Sequence, residues 1–483
     1  MSEITGPRGE LTARESRGAR LAWLDALRGF AALCVVFDHG STLLLLPVRS
    51  FLYHWLNLGQ YGVFVFFMVS GYIVPASLER KGSVRGFWIS RAFRLYPMFV
   101  IAVALALVAS FTRHGSYTSA GAAPLAAVLS WLLMLQNVNT GLNVPVVTWT
   151  LSYEMIFYLL LAALFSWGEH RRSGWYATAF AAAAVAVGGV LPMSALGHWS
   201  RVPGDEPLLL SGVTYALILA GLALAVRSRS WTGRAGASVA ALTGLVLVTF
   251  NQNYPYRWSG CVILALMFSG TLVYRAEQRQ VSRVGAALVM ALVLALATVA
   301  GTWHGARYGY HWQLQWVTSV LLAGATFGLG VLLFGGQGRR RFRVPRWCGW
   351  LGAISFSVYV LHPLVFGVYR SIPVLHRKHT LPDQALFFAG LVAVIVGLSA
   401  LTYYLVEKPM QRLGHRVAAR AGYETGSGPA PAGQDPAAAP GAAAGTSADG
   451  TPADAAAGNG TPAAASRSAS SSTAVAGGSG GSP

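Results

Sequence analysis

Apolar runs long enough to cross a bilayer recur along most of the chain, at about 23–46, 60–78, 87–111, 150–167, 175–193, 208–226, 235–250, 259–274, 284–302, 313–334, 348–370 and 385–406. Roughly 20 apolar residues in a helix cover the hydrocarbon core of a membrane, since each advances the axis by about 1.5 Å. In lipid a spanning backbone must satisfy its own hydrogen bonds, which makes these runs helices. The pattern predicts an all-α integral membrane protein, a multi-span helical bundle of about 10–12 transmembrane helices. Segment 124–135 is apolar but brief. Counting it as a span would invert every later loop, so it reads as an interfacial or re-entrant element.

Three regions follow from the same pattern. Residues 1–20 are polar and Arg-rich and lack the short apolar stretch and small-residue cleavage site of a secretory leader, so the first helix is expected to direct insertion. Residues 21–421 form the transmembrane region. From 422 to 483 the sequence is Ala, Gly, Pro, Ser and Thr with hardly a large apolar residue. Such a segment buries too little surface to offset the entropy of ordering, and a disordered tail is expected. No internal repeat of the kind found in many secondary transporters is visible.

Composition sharpens this picture. Of 483 residues 54% are hydrophobic and only 11% charged, far from the roughly 25% charged of a soluble domain. The net charge of +19 would fit a nucleic-acid binder if it formed one face, but the basic residues fall in short clusters between apolar runs. That distribution sets topology instead. Placing the N-terminus in the cytoplasm puts Arg80, Lys81, Arg85, Arg91 and Arg94 inside, followed by clusters at 171–172, 227–234, 275–283, 339–346 and 408–420, as the positive-inside rule expects. Both termini are then cytoplasmic. Cys34, Cys261 and Cys348 lie in or beside apolar segments and read as small buried hydrophobes.

Ionisable groups inside a span are costly, which makes each a functional candidate. The first span carries Asp25, Arg28, Asp38 and His39. Arg28 and His39 are eleven positions apart, so they differ by only about 20° around the helix and lie roughly 16 Å apart along it. Asp25 can pair with Arg28 at a spacing of three. Glu154 opens the fourth span within Trp149-Thr150-Leu151-Ser152-Tyr153-Glu154, at a depth comparable with His39. A buried His is often only a hydrogen-bonded structural residue. A His beside a carboxylate in a dry cavity, however, is the arrangement that general-base catalysis needs, and Glu154 is expected to orient His39 or the acceptor.

Further constellations are Phe66 to Tyr72 in the second span, with Ser70 and Gly71, and Arg91-Ala92-Phe93-Arg94-Leu95-Tyr96-Pro97 at the start of the third. Ser70 and Gly71 suit close helix packing or a substrate contact. Arg91 and Arg94 are either topology markers or a phosphate site, for which guanidinium groups are well shaped. His362, in Ser355 to Pro363, is read equally as structural or as part of the site, and Glu407-Lys408-Pro409 is expected to end the final helix.

Together these residues resemble the acyltransferase 3 family of integral membrane O-acyltransferases, from about residue 21 to 409. The most specific element is Leu24-Asp25-Ala26-Leu27-Arg28-Gly29-Phe30 followed by His39, an Arg, ten residues, then His. The phrases around 67–71, 91–97, 149–158, 359–362 and 407–409 recur in the family's order. Departures are Asp38, where the family more often has an aromatic or aliphatic residue, and Thr150 in place of Ser. The resemblance implies transfer of an acyl group, commonly acetyl, from acyl-CoA to a hydroxyl of a carbohydrate-containing acceptor, an envelope polysaccharide or a metabolite such as a macrolide. It implies catalytic roles for His39, Glu154 and Arg28. Donor or acceptor binding would fall to Arg91, Arg94, Ser70, Gly71, Trp149, Ser152, Tyr158 and His362. Acyl-CoA would be a substrate, with no permanently bound cofactor or metal, and the protein would sit in the cell membrane with no nucleic-acid partner. The rival readings are a multi-span exporter of a lipid-linked or sugar substrate and a structural membrane protein. The latter offers no reason to bury Arg28, His39 and Glu154.

Overall fold

The computed structural model describes residues 7–111, 124–140, 143–196, 206–228, 230–253, 255–309, 311–335, 344–372 and 380–420. Among these residues every regular element is helical. In chain order they are α1 (Pro7–Ser41), α2 (Leu46–Trp55), α3 (Leu58–Lys81), α4 (Val84–Phe111), α5 (Pro124–Leu132), α6 (Trp149–Ser166), α7 (Ser173–Ala186), α8 (Glu206–Arg227), α9 (Trp231–Phe250), α10 (Ser259–Glu277), α11 (Arg283–Arg307), α12 (Gln313–Phe334), α13 (Arg346–Arg370), α14 (Leu381–Thr402) and α15 (Lys408–Arg420). Among the described residues 10 helices are long and apolar enough to cross a membrane, α14 and α15 counting as one. The expected multi-span bundle is thus present. The tail expected from 422 lies outside the described residues.

The differences from expectation are local and physical. The helix that carries the candidate site does not qualify as a span by composition, because Asp25, Arg28 and Asp38 interrupt its apolar half. It begins at Pro7, inside the segment read as a polar, Arg-rich N-terminal stretch ahead of the first span, where Glu, Ala, Leu and Arg are all good helix formers. It stops at Ser41, where Ser41 and Thr42 turn their hydroxyls onto the carbonyls of Asp38 and His39 and so compete with helical backbone bonds. The expected span at 175–193 is only the 14-residue α7, about 21 Å long. Gly188, Gly189 and Pro192 follow it and break the helix. Segment 124–135 is the nine-residue α5 and a turn, too short to span.

The last helix continues where a stop was expected. Residues Tyr403–Glu407 form a π-helical turn and α15 runs on to Arg420. Pro409 breaks a continuous α-helix because it lacks an N–H. After a π turn it stands in the first turn of a new segment, where that N–H has no partner to lose.

Two helix crossings hold the bundle together. The spans α3 and α10 are the most enclosed, with 83% and 94% of their apolar windows buried. A Cβ on Gly71 would overlap the Met267 carbonyl, and one on Gly270 the Met68 carbonyl, so the two backbones touch. Thr271 donates to the Gly71 carbonyl at 2.8 Å across this contact. Without a hydrophobic driving force between helices in lipid, such close approach and interhelical bonding supply the cohesion. A second crossing brings α13 onto α1: a Cβ on Gly352 would overlap the Asp25 carbonyl, and one on Gly29 would meet the Gly352 nitrogen at 2.9 Å.

Candidate functional site

The α1–α13 crossing sets His362 against His39, 323 residues away in sequence. Their rings stack at 5.0 Å between centroids and 20° between planes, with Nδ1 of His39 2.7 Å from Nε2 of His362. His362 is fully buried, and its Nδ1 lies 3.2 Å from the Val358 carbonyl oxygen. A carbonyl only accepts, so that nitrogen carries the hydrogen and a neutral His362 must accept at Nε2. The hydrogen between the rings therefore sits on His39 Nδ1, and His39 Nε2 is left with a free lone pair. This is the form of imidazole that can take a proton.

Of the two partners expected for Glu154, His39 and the acceptor, His39 is not among the contacts its carboxylate makes. Glu154 accepts a hydrogen bond from the Tyr158 hydroxyl one turn along α6, and it interacts electrostatically with Arg28 and Arg91. The charged groups acting on His39 are Asp38 and Arg49. Glu154 therefore serves as counter-charge to two buried arginines, while a second imidazole holds the catalytic candidate.

Arg28 lies 3.7 Å from Asp25, as its spacing predicted, and over the Phe66 ring at 5.5 Å. Arg91 is buried between the rings of Phe87 and Tyr158, at 5.4 and 5.3 Å. Arg91 and Arg94 line a cavity of about 410 Å³ together with Arg80, Lys81, Ser90 and His415. No acidic residue is among its described walls. A concentration of fixed positive charge in a partly enclosed space is an anion site, and guanidinium groups suit phosphate in particular.

From this basic cavity a line of contacts leads to His39. Arg91 covers Tyr158, Tyr158 holds Glu154, and Glu154 lines a small apolar cavity of about 20 Å³ with Phe66, Phe67 and Leu151. That cavity shares Val35, Val63 and Tyr359 with a larger one of about 100 Å³, whose walls include His39, Trp149, Asn57, Gln60 and Ser259. On its other side His39 lines a mostly apolar opening of about 530 Å³ between α4 and α13.

Several of the residues expected at the site make structural contacts. Gly71 is the α3–α10 contact point and Ser70 lines none of these cavities. The Ser152 hydroxyl accepts the Asn137 backbone N–H at 3.1 Å, pinning the turn after α5. Trp149, Arg91, Arg94 and His39 line cavities, while Tyr158 and His362 line none of these and hydrogen-bond to Glu154 and His39. Thr150 and Tyr359 share a hydrogen bond of 3.0 Å at the cavity wall. Residue patterns did not single out Arg80, Lys81 and His415 as site residues, or Gln60 and Ser259. The first two had a signal, since basic pairs ending one helix and opening the next must converge. The last two had none.

A family model described as an acyltransferase domain, that of acyltransferase 3, matches residues 21–404. Among similar proteins, Acyltransferase MdmB of Streptomyces mycarofaciens is 34% identical over 183 residues, 35% of this chain and 46% of that protein. Nodulation protein 10 of Rhizobium leguminosarum bv. viciae is 29% identical over 176 residues, 33% of this chain and 48% of its own. O-acetyltransferase OatA of Staphylococcus aureus is 28% identical over 165 residues, 31% and 26% of the two chains. The chain thus spans under half the length of each of these relatives. No solved structure matches. With the family model covering most of the chain, including the Arg28 to His39 helix and the His362 segment, the protein belongs to the acyltransferase 3 family of membrane acyltransferases.

Proposed function

We propose that this chain transfers an acyl group from acyl-CoA to a hydroxyl of a carbohydrate-containing acceptor. The observation that carries the reading is the His39–His362 pair, whose hydrogen bonding leaves a lone pair on Nε2 of a histidine that lines two cavities. The phosphates of the donor bind in the basic cavity, against Arg91 and Arg94. Its acyl end approaches His39 along the line through Tyr158 and Glu154, roughly the 16 Å that separates Arg28 from His39 on one helix face.

His39 Nε2 then takes the proton of the acceptor hydroxyl as its oxygen attacks the thioester carbonyl. Collapse of the tetrahedral intermediate breaks the C–S bond, and the departing thiolate recovers the proton from the imidazolium. The names of two relatives, an acyltransferase and an O-acetyltransferase, support an acyl group as cargo and acetyl as its commonest form. The acceptors in view are envelope polysaccharides and glycosylated metabolites. The protein would lie in the cell membrane with both termini and the basic cavity in the cytoplasm, as the distribution of Arg and Lys suggests.

The test is transfer of label from [14C]acetyl-CoA to a glycoside by the purified chain in proteoliposomes. His39→Ala is expected to lower the rate by about 10²–10⁴-fold, the usual worth of a general base. Full activity in a well-folded His39→Ala preparation would overturn the assignment.

A further inference from the structure

Of the two openings onto His39, one is built for a specific polar ligand. The opening between α4 and α13 is mostly apolar. The cavity of about 100 Å³ instead combines flat aromatic walls, Trp149, Tyr256 and Tyr359, with Asp38, Gln60 and Ser259. Ser259 is 2% exposed, and its hydroxyl has no hydrogen-bond partner. A buried polar group left unpaired is costly, so an unpaired hydroxyl on a cavity wall marks a place where a ligand atom belongs. Space for several waters is also space for one small ring.

Charge narrows the choice further. Asp38 is the one carboxylate among the described walls, and neither Lys nor Arg is among them. Arg49 on α2 is within electrostatic reach of Asp38 but does not form part of the wall. An anionic ring entering here would face the Asp38 carboxylate with no Lys or Arg on the described walls to pair with it, at a cost that low-dielectric surroundings increase.

We propose that this cavity is the acceptor subsite, and that it takes one uncharged or amine-bearing sugar ring, packed against Trp149 with a hydroxyl turned to His39. Gln60 and Ser259 hydrogen-bond its other hydroxyls, and Asp38 excludes uronates and other anionic sugars. The proposal rests on the acyl transfer argued above and adds the location and charge class of the acceptor.

The experiment uses the full chain in proteoliposomes with acetyl-CoA and three matched acceptors: p-nitrophenyl β-glucoside, β-glucosaminide and β-glucuronide. Acetylated product is followed by mass spectrometry, and free CoA is measured without acceptor. The glucoside and glucosaminide are expected to be acetylated at least about tenfold faster than the glucuronide, and Asp38→Asn to narrow that gap. Ser259→Ala and Trp149→Ala should each raise the acceptor KM about five- to tenfold more than the KM for acetyl-CoA, with Trp149→Phe restoring most of the loss. Equal use of the glucuronide, or an unchanged acceptor KM in both alanine variants, overturns the subsite while leaving acyl transfer standing. Absence of CoA release and of product with every acceptor overturns the transfer reading itself, and the subsite with it.

Discussion

At the scale of single residues, the site depends on which nitrogen of His39 carries a hydrogen. The chain from Val358 through His362 to His39 fixes this without any carboxylate, by a backbone carbonyl that can only accept. Removing the second ring frees His39 to rotate and to change tautomer. His362→Ala should therefore lower kcat by about 10²-fold, while His362→Gln, whose amide oxygen can still accept from Nδ1, should recover most of it. The double variant His39→Ala/His362→Ala should be no slower than His39→Ala alone, because residues acting as one unit are not additive; additive losses in steady-state rates would show that the rings act separately. The arginines answer to a different readout. Arg94→Ala should raise the KM for acyl-CoA about tenfold with little change in kcat, an effect that weakens with added salt. Arg91→Lys should not preserve wild-type behaviour, since a lysine cannot reproduce a guanidinium lying over the rings of both Phe87 and Tyr158.

At the scale of helices, close approach of backbones decides where the site residues meet. Gly71→Ala should destabilise the protein by about 1–3 kcal/mol, because the added carbon has only the Met267 backbone to move. Gly397→Ala on α14, with nothing within 4 Å of the added carbon, is the matched control and should be neutral. Thermal unfolding of the two variants in one detergent makes the comparison, and equal midpoints would refute the packing role. The same crossings explain what could be read from the chain. The α3 span and its Arg-Lys end are visible in a run of residues because a helix is local. The spacing from Arg28 to His39 is visible for the same reason. That His39 would find His362, and Glu154 would instead serve Arg28 and Arg91, depends on Gly29 and Gly352 letting α1 and α13 touch, a relation between distant segments that no periodicity records. The helix running past Pro409 escaped notice because a π turn absorbs the lost bond, and the shortness of α7 because Gly188 and Gly189 sit inside an otherwise apolar run.

At the scale of the whole molecule, the site divides into a charged end and an aromatic end. Arg80, Lys81, Arg91, Arg94 and His415 converge on one cavity, whereas Thr42, beside His39, is exposed toward the other end of α1. On the proposed function the donor carries several phosphates whose charge keeps it in the cytoplasm, and the basic cavity would then face that side. The clustering of Arg and Lys predicts the same orientation independently, through the insertion bias of short basic loops. The two expectations can be tested together with single cysteines, using a background in which the buried Cys34 and Cys261 and the partly exposed Cys348 are replaced. His415→Cys should react with a membrane-impermeant maleimide only in inside-out vesicles, and acyl-CoA should slow that reaction. Thr42→Cys should react only from the outside of intact cells, with no protection by acyl-CoA. Labelling of both positions from the same side would mean that donor site and His39 share one face of the membrane, and that the acyl group crosses no part of the bilayer on its way to the acceptor.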